Sequence, residues 1–262
     1  MNAATDALTL SPISRPHWSV EHHLVVATTQ SLARERPAWS AVTADEQTTG
    51  RGQAERSFVS DPGGLYLTAV LPYGGDPLAS RGFALAVGWA VRAALRHAGV
   101  AEVRLRWPND LMVGPRKVGG ILVEQGGPNT LLVGLGLNIL NQPWRTDPAL
   151  REIAGRLVEA LGGKALPDRT VLAEQLLRAI GLAHFAFSRR QLAGFVPILN
   201  RCWGPPRRVR LEMVPRHTPT EIAGDFLGLD PSGCVLLRAD GGEKIAVPEH
   251  HIGRLREVVR AK

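Results

Sequence analysis

The chain is poor in the residues that mark several large protein classes. Only two cysteines, Cys202 and Cys234, stand in its 262 residues. They are too few for a disulfide framework and lack the CxxC or Cys/His spacing of a zinc site. No apolar run approaches the ~18–20 residues that span a bilayer. Met1 to Pro12 lack a basic stretch followed by an apolar core, so no secretory signal is expected. These absences predict a cytoplasmic protein with no membrane partner. No Walker A pattern occurs, nor a GxGxxG run opening a helix, which argues against P-loop and Rossmann nucleotide sites. No period of self-similarity runs through the chain, and repeat architectures are excluded with it.

Positive charge, by contrast, is in excess: 31 Lys and Arg against 24 Asp and Glu give a formal net charge of +7. Phosphate binding needs such residues, yet they are dispersed, and the densest group is Arg201, Arg207, Arg208 and Arg210. No zinc-finger, RNP-like or helix-turn-helix signature accompanies them. A solvated basic surface is the expectation, with no specific nucleic-acid partner. The same field would favour an anionic substrate or an acidic protein partner. The hydrophobic share of 44% and charged share of 21% are ordinary for a globular chain with an ample core.

Residues 1–16 read as a flexible lead-in. His22 to Ala27 is a short strand running into a helix that Thr28 or Thr29 would cap with a hydroxyl. The same hydroxyls, at a strand end, could instead hydrogen-bond a small polar ligand. Apolar runs Trp39–Thr43 and Leu65–Leu71 read as strands, the second covered on both faces. Ser80 is placed as the cap of a helix in which Phe83, Val87, Val91, Ala94, Leu95 and Ala98 recur at three and four, and Gly99 ends it. Val103, Leu105 and Trp107 alternate on one face of a strand that Pro108 ends. Lys117 heads another strand, and Leu131–Ile139 is a further one interrupted by Gly134 and Gly136. Thr146-Asp147-Pro148 predicts a helix start, with Leu150, Ile153, Leu157 and Leu161 facing inward. A second helix is expected over about Asp168–Arg190 and a third near Leu192–Leu199. Beyond Trp203-Gly204-Pro205-Pro206 only short strands remain: Val209–Val214, Glu221–Gly228, Cys234–Arg238 and Lys244–Val247. Hairpin signals Asp230-Pro231-Ser232-Gly233 and Asp240-Gly241-Gly242 separate them. The expected division is a lead-in at 1–16, a large α/β (α+β) unit at 17–204 and a small β-barrel at 205–262.

Three polar, glycine-bearing loops in the first half carry the chemistry: Gly50–Gly52, Asn109–Gly120 and Gly134–Asn138. Between two strands lies Asp45-Glu46-Gln47-Thr48-Thr49-Gly50-Arg51-Gly52-Gln53, where backbone N–H groups and a cation can surround an anion. Arg106-Trp107-Pro108-Asn109-Asp110 follows a strand, and its carboxylate is either a turn-former or a group that positions a metal-bound triphosphate. Lys117-Val118-Gly119-Gly120 sets a lysine beside two glycines, which thin out side chains where a ligand must come close. Gly134-Leu135-Gly136-Leu137-Asn138 repeats that pattern with a polar end. Activating a carboxylic acid with ATP needs this inventory: cations offset the repulsion between carboxylate and α-phosphate and the charge gathering in the transition state.

In that order and combination, the motifs resemble those of the biotin protein ligases. Gln47-Thr48-Thr49-Gly50-Arg51-Gly52 resembles the family's ligand loop, and Arg106-Trp107-Pro108-Asn109-Asp110 its Lys-Trp-Pro-Asn-Asp motif. Lys117 to Glu124 and Gly134 to Asn138 are similar to two more. The resemblance spans about Val25 to Asn141 clearly. It implies a class II aminoacyl-tRNA synthetase-like mixed sheet with flanking helices and a C-terminal SH3-like domain. It also implies a two-step reaction: biotin and MgATP give biotinyl-5′-AMP and pyrophosphate, and a lysine of a biotin carboxyl carrier domain then takes the biotin. ATP, Mg²⁺ and biotin are the implied small molecules, with no fixed protein site for the metal.

Residue by residue, the resemblance gives Lys117, Arg51 and Asp110 catalytic roles. Thr28, Thr29, Gln30, Gln47, Gly50, Arg51, Gly52, Gln53, Lys117, Gly119 and Gly120 would hold biotin. Arg51, Gly52, Gln53, Arg56, Trp107, Asn109, Lys117 and Asn138 would meet the nucleotide, and Trp144 is a candidate to stack on adenine. Family members are often homodimers. Without an N-terminal helix-turn-helix, a repressor role is not expected. Two departures stand out: Gln53 where the loop often has a second arginine, and Gln30 where asparagine is usual. Of the alternatives, a lipoate–protein ligase is disfavoured by the Trp-Pro-Asn-Asp stretch. An octanoyltransferase is disfavoured by the distance of both cysteines from the glycine loops. A non-enzymatic basic barrel that binds nucleic acid is the reading from a different class.

Overall fold

Two β-sheets flank one long bent helix in the computed structural model, which describes residues 17–53, 56–74, 82–203, 206–215 and 218–258. The first sheet is built from β1 (Ser19–Val26), β2 (Ser40–Gln47), β3 (Leu65–Pro72), β4 (Arg104–Arg106), β5 (Asp110–Val113), β6 (Arg116–Gly127) and β7 (Thr130–Leu137). Its spatial order is β1-β2-β3-β7-β6-β5-β4. Only β1 and β2 pair in parallel; every other neighbouring pair is antiparallel. α1 (Thr29–Ala33) follows β1, and α2 (Phe83–His97) precedes β4. The second sheet is wholly antiparallel, with β8 (Arg207–Met213), β9 (Glu221–Leu229), β10 (Val235–Arg238), β11 (Lys244–Val247) and β12 (Ile252–Glu257) in the order β11-β10-β9-β8-β12.

The first sheet has two unlike faces, and period-two alternation within β3 and β7 produces them. Leu65, Leu67, Ala69 and Leu71 of β3, with Val133, Leu135 and Leu137 of β7, join the main core beneath α2 and α3 (Arg169–Cys202). That core continues into the second sheet through Val209, Leu211, Leu229 and Val235. The intervening residues face the other way. Val42, Val70 and Leu132 form a small separate cluster with Ala33 of α1. Further along the same face stand Thr68 and two glycines, Gly134 and Gly136, in register with Thr68 and Tyr66 respectively. There the side chains stop and a cavity begins.

The expected helix from Thr146 is not formed. Residues 143–160 instead make three single 3₁₀ turns, Pro143–Arg145, Pro148–Leu150 and Leu157–Ala160. Asp147 does cap a turn, accepting from Ala149 N–H at 3.1 Å. The helix fails because the backbone at 153–155 is drawn onto β6: Lys117 N–H donates to Ile153 C=O and Gly155 N–H to Lys117 C=O, both at 2.8 Å. A tertiary pairing overrides a helical apolar spacing, and Ile153 is left half exposed rather than facing inward.

α3 bends at Gln191, whose φ of 53° is left-handed, so the two helices expected at 168–190 and 192–199 are arms of one element. Two strands escaped the sequence reading: β5, which makes Asp110 the start of a hairpin strand, and β12. α2 begins at Phe83 after Gly82, which provides no side-chain cap. The expected cap at Ser80, the lead-in at 1–16 and the boundary at 204/205 lie outside the described residues.

Candidate active site

The cavity on the open face has a volume of about 580 Å³. Its floor is the glycine-bearing ends of β6 and β7, and its roof is the segment that follows β2. That segment folds back on itself: Gln47 N–H donates to Ser60 C=O at 3.1 Å, Phe58 N–H to Gly50 C=O at 2.8 Å and Gly52 N–H to Arg56 C=O at 2.7 Å. Gly50 permits the fold, since a Cβ there would stand 2.3 Å from the Phe58 carbonyl oxygen. The Phe58 ring then lies on Gly136, occupying space that a Cβ would need, at 2.6 Å.

One end of the cavity is neutral and tightly hydrogen-bonded. Thr28 caps α1 by accepting from Ser31 N–H at 3.0 Å. Thr29 N–H donates to Gln47 Oε1 at 2.8 Å, and the Thr29 hydroxyl lies 3.1 Å from the same oxygen. Gln47 Nε2 donates to Ser60 Oγ at 2.9 Å. Gln30 lies against the Cβ-less position of Gly134, and its buried amide nitrogen has no partner among the described residues. An orphaned buried donor costs ~1–3 kcal/mol, which a ligand acceptor would relieve.

The other end is charged. Asp110 is held between two cations: Lys117 Nζ lies 2.6 Å from Oδ1, and Arg106 Nη2 donates to Oδ2 at 2.6 Å. Burial alone would raise the Asp110 pKa, but the attraction and hydrogen bonds of Lys117 and Arg106 outweigh it and hold the carboxyl below its ordinary value. Lys117 Nζ sits over the Phe58 ring, 5.8 Å from its centroid, in space left by Gly120. Arg51 is exposed on the roof, with no hydrogen-bond partner for its guanidinium among the described residues, and Arg56 Nε donates to Gln53 C=O at 3.1 Å.

Of the residues singled out from the sequence, Thr28, Thr29, Gln30, Gln47, Arg51, Gly52, Gln53, Arg56, Trp107, Asn109, Asp110, Lys117, Gly120 and Asn138 all line this one cavity. Asn109 also works structurally, its Nδ2 donating to Ile121 C=O at 2.5 Å across the β5–β6 hairpin. Asn138 accepts from Asn141 Nδ2 at 3.1 Å. Trp107 is mostly core. Gly50 and Gly119 do not line the cavity. Gly119 faces the packed side, where a Cβ would meet Leu137 at 2.6 Å. Trp144 is stacked under Arg156, 5.7 Å from its guanidinium carbon, and likewise stands outside the lining.

Sequence reasoning missed the second sheet's share. Gly253, Arg254, Leu255, Arg256 and Glu257 of β12 line the cavity; its buried Ile252 and Leu255 stand three apart across a register shift, so no period-two alternation marked the strand. Partial burial and the neighbouring guanidiniums of Arg256, Arg56 and Arg106 push the Arg254 pKa down. Arg104 of β4 fastens β12 in place, its Nη1 and Nη2 donating to the two Glu257 carboxylate oxygens at 2.7 and 2.6 Å.

Elsewhere, the basic cluster at 201–210 is not a free surface. Arg208 pairs with Asp240 at 2.5 Å and Arg210 with Glu221 at 3.2 Å. Among the described residues no group of three or more His, Cys, Asp or Glu is placed to hold a metal. Among the same residues no helix is long and apolar enough to cross a membrane.

Residues 25–138 match the biotin/lipoate A/B protein ligase family. The bifunctional ligase/repressor BirA of Escherichia coli (strain K12) is 32% identical over 221 residues, which is 79% of this chain and 64% of that protein. The chain therefore spans just under two thirds of that relative. The biotin–acetyl-CoA-carboxylase ligase of Paracoccus denitrificans is 31% identical over 216 residues, 79% of this chain and 87% of that protein. In structure, the biotin protein ligase from Aquifex aeolicus in complex with biotin and ATP superposes with a TM-score of 0.76 at 25% identity, over 92% of this chain and 99% of that one.

Proposed function

The chain belongs to the biotin protein ligases, within the biotin/lipoate A/B protein ligase family, and from that premise we propose that it activates biotin with MgATP and transfers it to a lysine of a carboxylase's biotin carboxyl carrier domain. The observation that carries this reading is the cavity's polarity: a neutral, hydrogen-bonding end at Thr29, Gln47 and Gln30, and a cationic end at Lys117 and Arg106, beneath one roof. Biotin has the same two ends, a ureido ring and a carboxylate.

In this reading Gln30, Thr29 and Gln47 take the ureido ring, and the chain from the ring leads the carboxylate toward Lys117. A carboxylate oxygen attacks the α-phosphorus, an O–P bond forms, the bond to the β-phosphate breaks and pyrophosphate leaves. Lys117 offsets the charge shared between carboxylate and phosphate, and Asp110 holds its ammonium in position. The roof at Gly50–Phe58, with Arg51, covers the adenylate and excludes water, which would otherwise hydrolyse the mixed anhydride. In the second step the carrier lysine's amine attacks the acyl carbon, an amide forms and AMP departs. Mg²⁺ comes with the triphosphate and supplies charge neutralisation there. Asp110 is already committed to two ion pairs, which fits a metal held chiefly by phosphate oxygens.

The finer architecture belongs to the same reading: a synthetase-like sheet carrying the ligand site, and an SH3-like C-terminal unit that closes one side of it through β12. An ATP-dependent reaction on a carboxylase acceptor supports a cytoplasmic reading. The test is pyrophosphate exchange into ATP with biotin or lipoate supplied separately. Exchange with biotin is expected; exchange with lipoate but not biotin would overturn the reading.

A further inference from the structure

Beside the Thr29–Gln47 pair, in the same cavity lining, stands a residue with no role so far. Thr68, in the middle of β3, is 0% exposed, and among the described residues its hydroxyl has one hydrogen-bond partner, Thr29 Oγ1 at 2.8 Å. A buried hydroxyl proton left undonated is costly, so Thr68 is the donor in this pair. The other protons follow in sequence. Thr29 Oγ1 accepts from Thr68 and passes its own proton to Gln47 Oε1 at 3.1 Å. The amide orientation of Gln47 is set independently, because Oε1 also accepts from a group that can only donate, Thr29 N–H. Gln47 Nε2 therefore points at Ser60 Oγ, and the Ser60 hydroxyl donates to Phe58 C=O at 2.9 Å, a group that can only accept. The chain has a direction from end to end: Thr68, Thr29, Gln47, Ser60, Phe58.

A directed chain leaves a definite remainder. Thr29 Oγ1 has donated its one proton and retains a lone pair; Gln47 Nε2 has used one N–H and retains the second. The wall thus offers one acceptor and one donor side by side, the complement of an –NH–C(=O)– edge such as that of a cyclic urea. A dithiolane ring has neither group. We propose that Thr68 is a positioning residue for substrate choice: acting through Thr29, it fixes the wall as acceptor plus donor and so selects a ureido ring. Without the Thr68 proton, Thr29 is free to turn its own proton away from Gln47, and the wall's polarity is no longer set. This rests on the biotin-ligase reading above and adds a residue to it.

The experiment compares wild type, Thr68→Val and Thr68→Ser in biotin-dependent pyrophosphate exchange, with calorimetric titration of biotin and of desthiobiotin, which keeps the ureido ring and lacks the thioether. Thr68→Val is nearly isosteric and removes only the donor. It is expected to raise the KM and Kd for biotin about three- to tenfold, the worth of a single hydrogen bond, with kcat and the KM for ATP unchanged. Desthiobiotin should weaken by the same factor, and Thr68→Ser should return both ligands to wild-type affinity. Unchanged biotin affinity in Thr68→Val would overturn the proposal. So would a loss that extends to ATP and kcat and that serine does not rescue, because Thr68 would then be structural only. A loss confined to biotin and spared for desthiobiotin would overturn it as well. Wild-type enzyme without biotin-dependent exchange would instead overturn the underlying reading, an outcome visible before any variant is made.

Discussion

The two faces of the seven-stranded sheet are made by the same strands and spend their residues differently. On the packed face, β3 and β7 present Leu65, Leu67, Leu71, Val133, Leu135 and Leu137, all buried in one continuous core. One residue over, on the open face, they present Tyr66, Thr68, Gly134 and Gly136. The first set excludes water by filling space; the second leaves a space and lines it with directed polar groups. Stability and ligand recognition can therefore be separated at adjacent positions of a single strand.

The largest expected effect tests the packed face. Leu71→Ala, in the same core and away from the cavity lining, should cost about 2–5 kcal/mol of stability, the usual range for a buried leucine replaced by alanine, read as a lower urea midpoint. The KM for biotin should stay near wild type in the folded enzyme. A large change in KM with an unchanged midpoint would mean that the two faces are not separable.

Next comes the open face. Lys117→Ala should lower the rate of biotin-dependent pyrophosphate exchange by about 10²–10³-fold, the typical loss when one preorganised electrostatic contact to a developing charge is removed. The chain should remain folded, since Lys117 belongs to no apolar core cluster. Normal turnover by the purified variant would remove Lys117 from the reaction.

Asp110 joins the two properties, and pH separates them. Its folded pKa lies below the ordinary 3.8, on balance because Lys117 and Arg106 outweigh the opposing effect of burial. A depressed carboxyl contributes stability that is complete above the unfolded value and lost as pH falls through the folded one. Asp110→Asn should accordingly melt below wild type at pH 7, and the gap should shrink as the pH is lowered from 5 toward ~3. A gap independent of pH would show that the carboxylate's charge is not what matters there.

Legibility in the sequence followed this division. The open face was readable where its chemistry is contiguous: Thr28 to Gln30, Gln47 to Gln53, Arg106 to Asp110 and Lys117 to Gly120 each carry several polar groups or glycines in a row. It was unreadable where one polar residue stands alone in an apolar strand, as Thr68 does, because its meaning comes from Thr29, 39 positions away. The packed face was read as strands and helices from apolar spacing, and for α2 and both arms of α3 the spacing sufficed. It misled at 146–161, where Leu150, Leu157 and Leu161 have helical intervals but the backbone pairs with Lys117. β12 was missed because a register shift after Ile252 breaks its period-two pattern, and with it went Arg254 and Arg256 at the cavity edge.

The smallest expected effect concerns the roof, where the protein departs from its family's usual loop. Gln53 follows Gly52 at a place where an arginine is common, and it lines the cavity beside Arg51 and Arg56. A glutamine can give phosphate a hydrogen bond from a neutral donor; an arginine adds a positive charge and can reach two oxygens at once. The difference is about 1 kcal/mol, so Gln53→Arg should slow dissociation of biotinyl-AMP from the purified enzyme about fivefold. Arg56 is the competing candidate, since its backbone already closes the roof onto Gly52 and its guanidinium is close enough to lower the pKa of Arg254. The two are told apart by pairing the substitutions. If Gln53 is the weak point, Gln53→Arg slows release in the wild-type background and in Arg56→Ala alike. An unchanged rate in the first background and a slowed one in the second would mean that Arg56 already holds the phosphate, and that the open face has moved its second cation three residues along the loop.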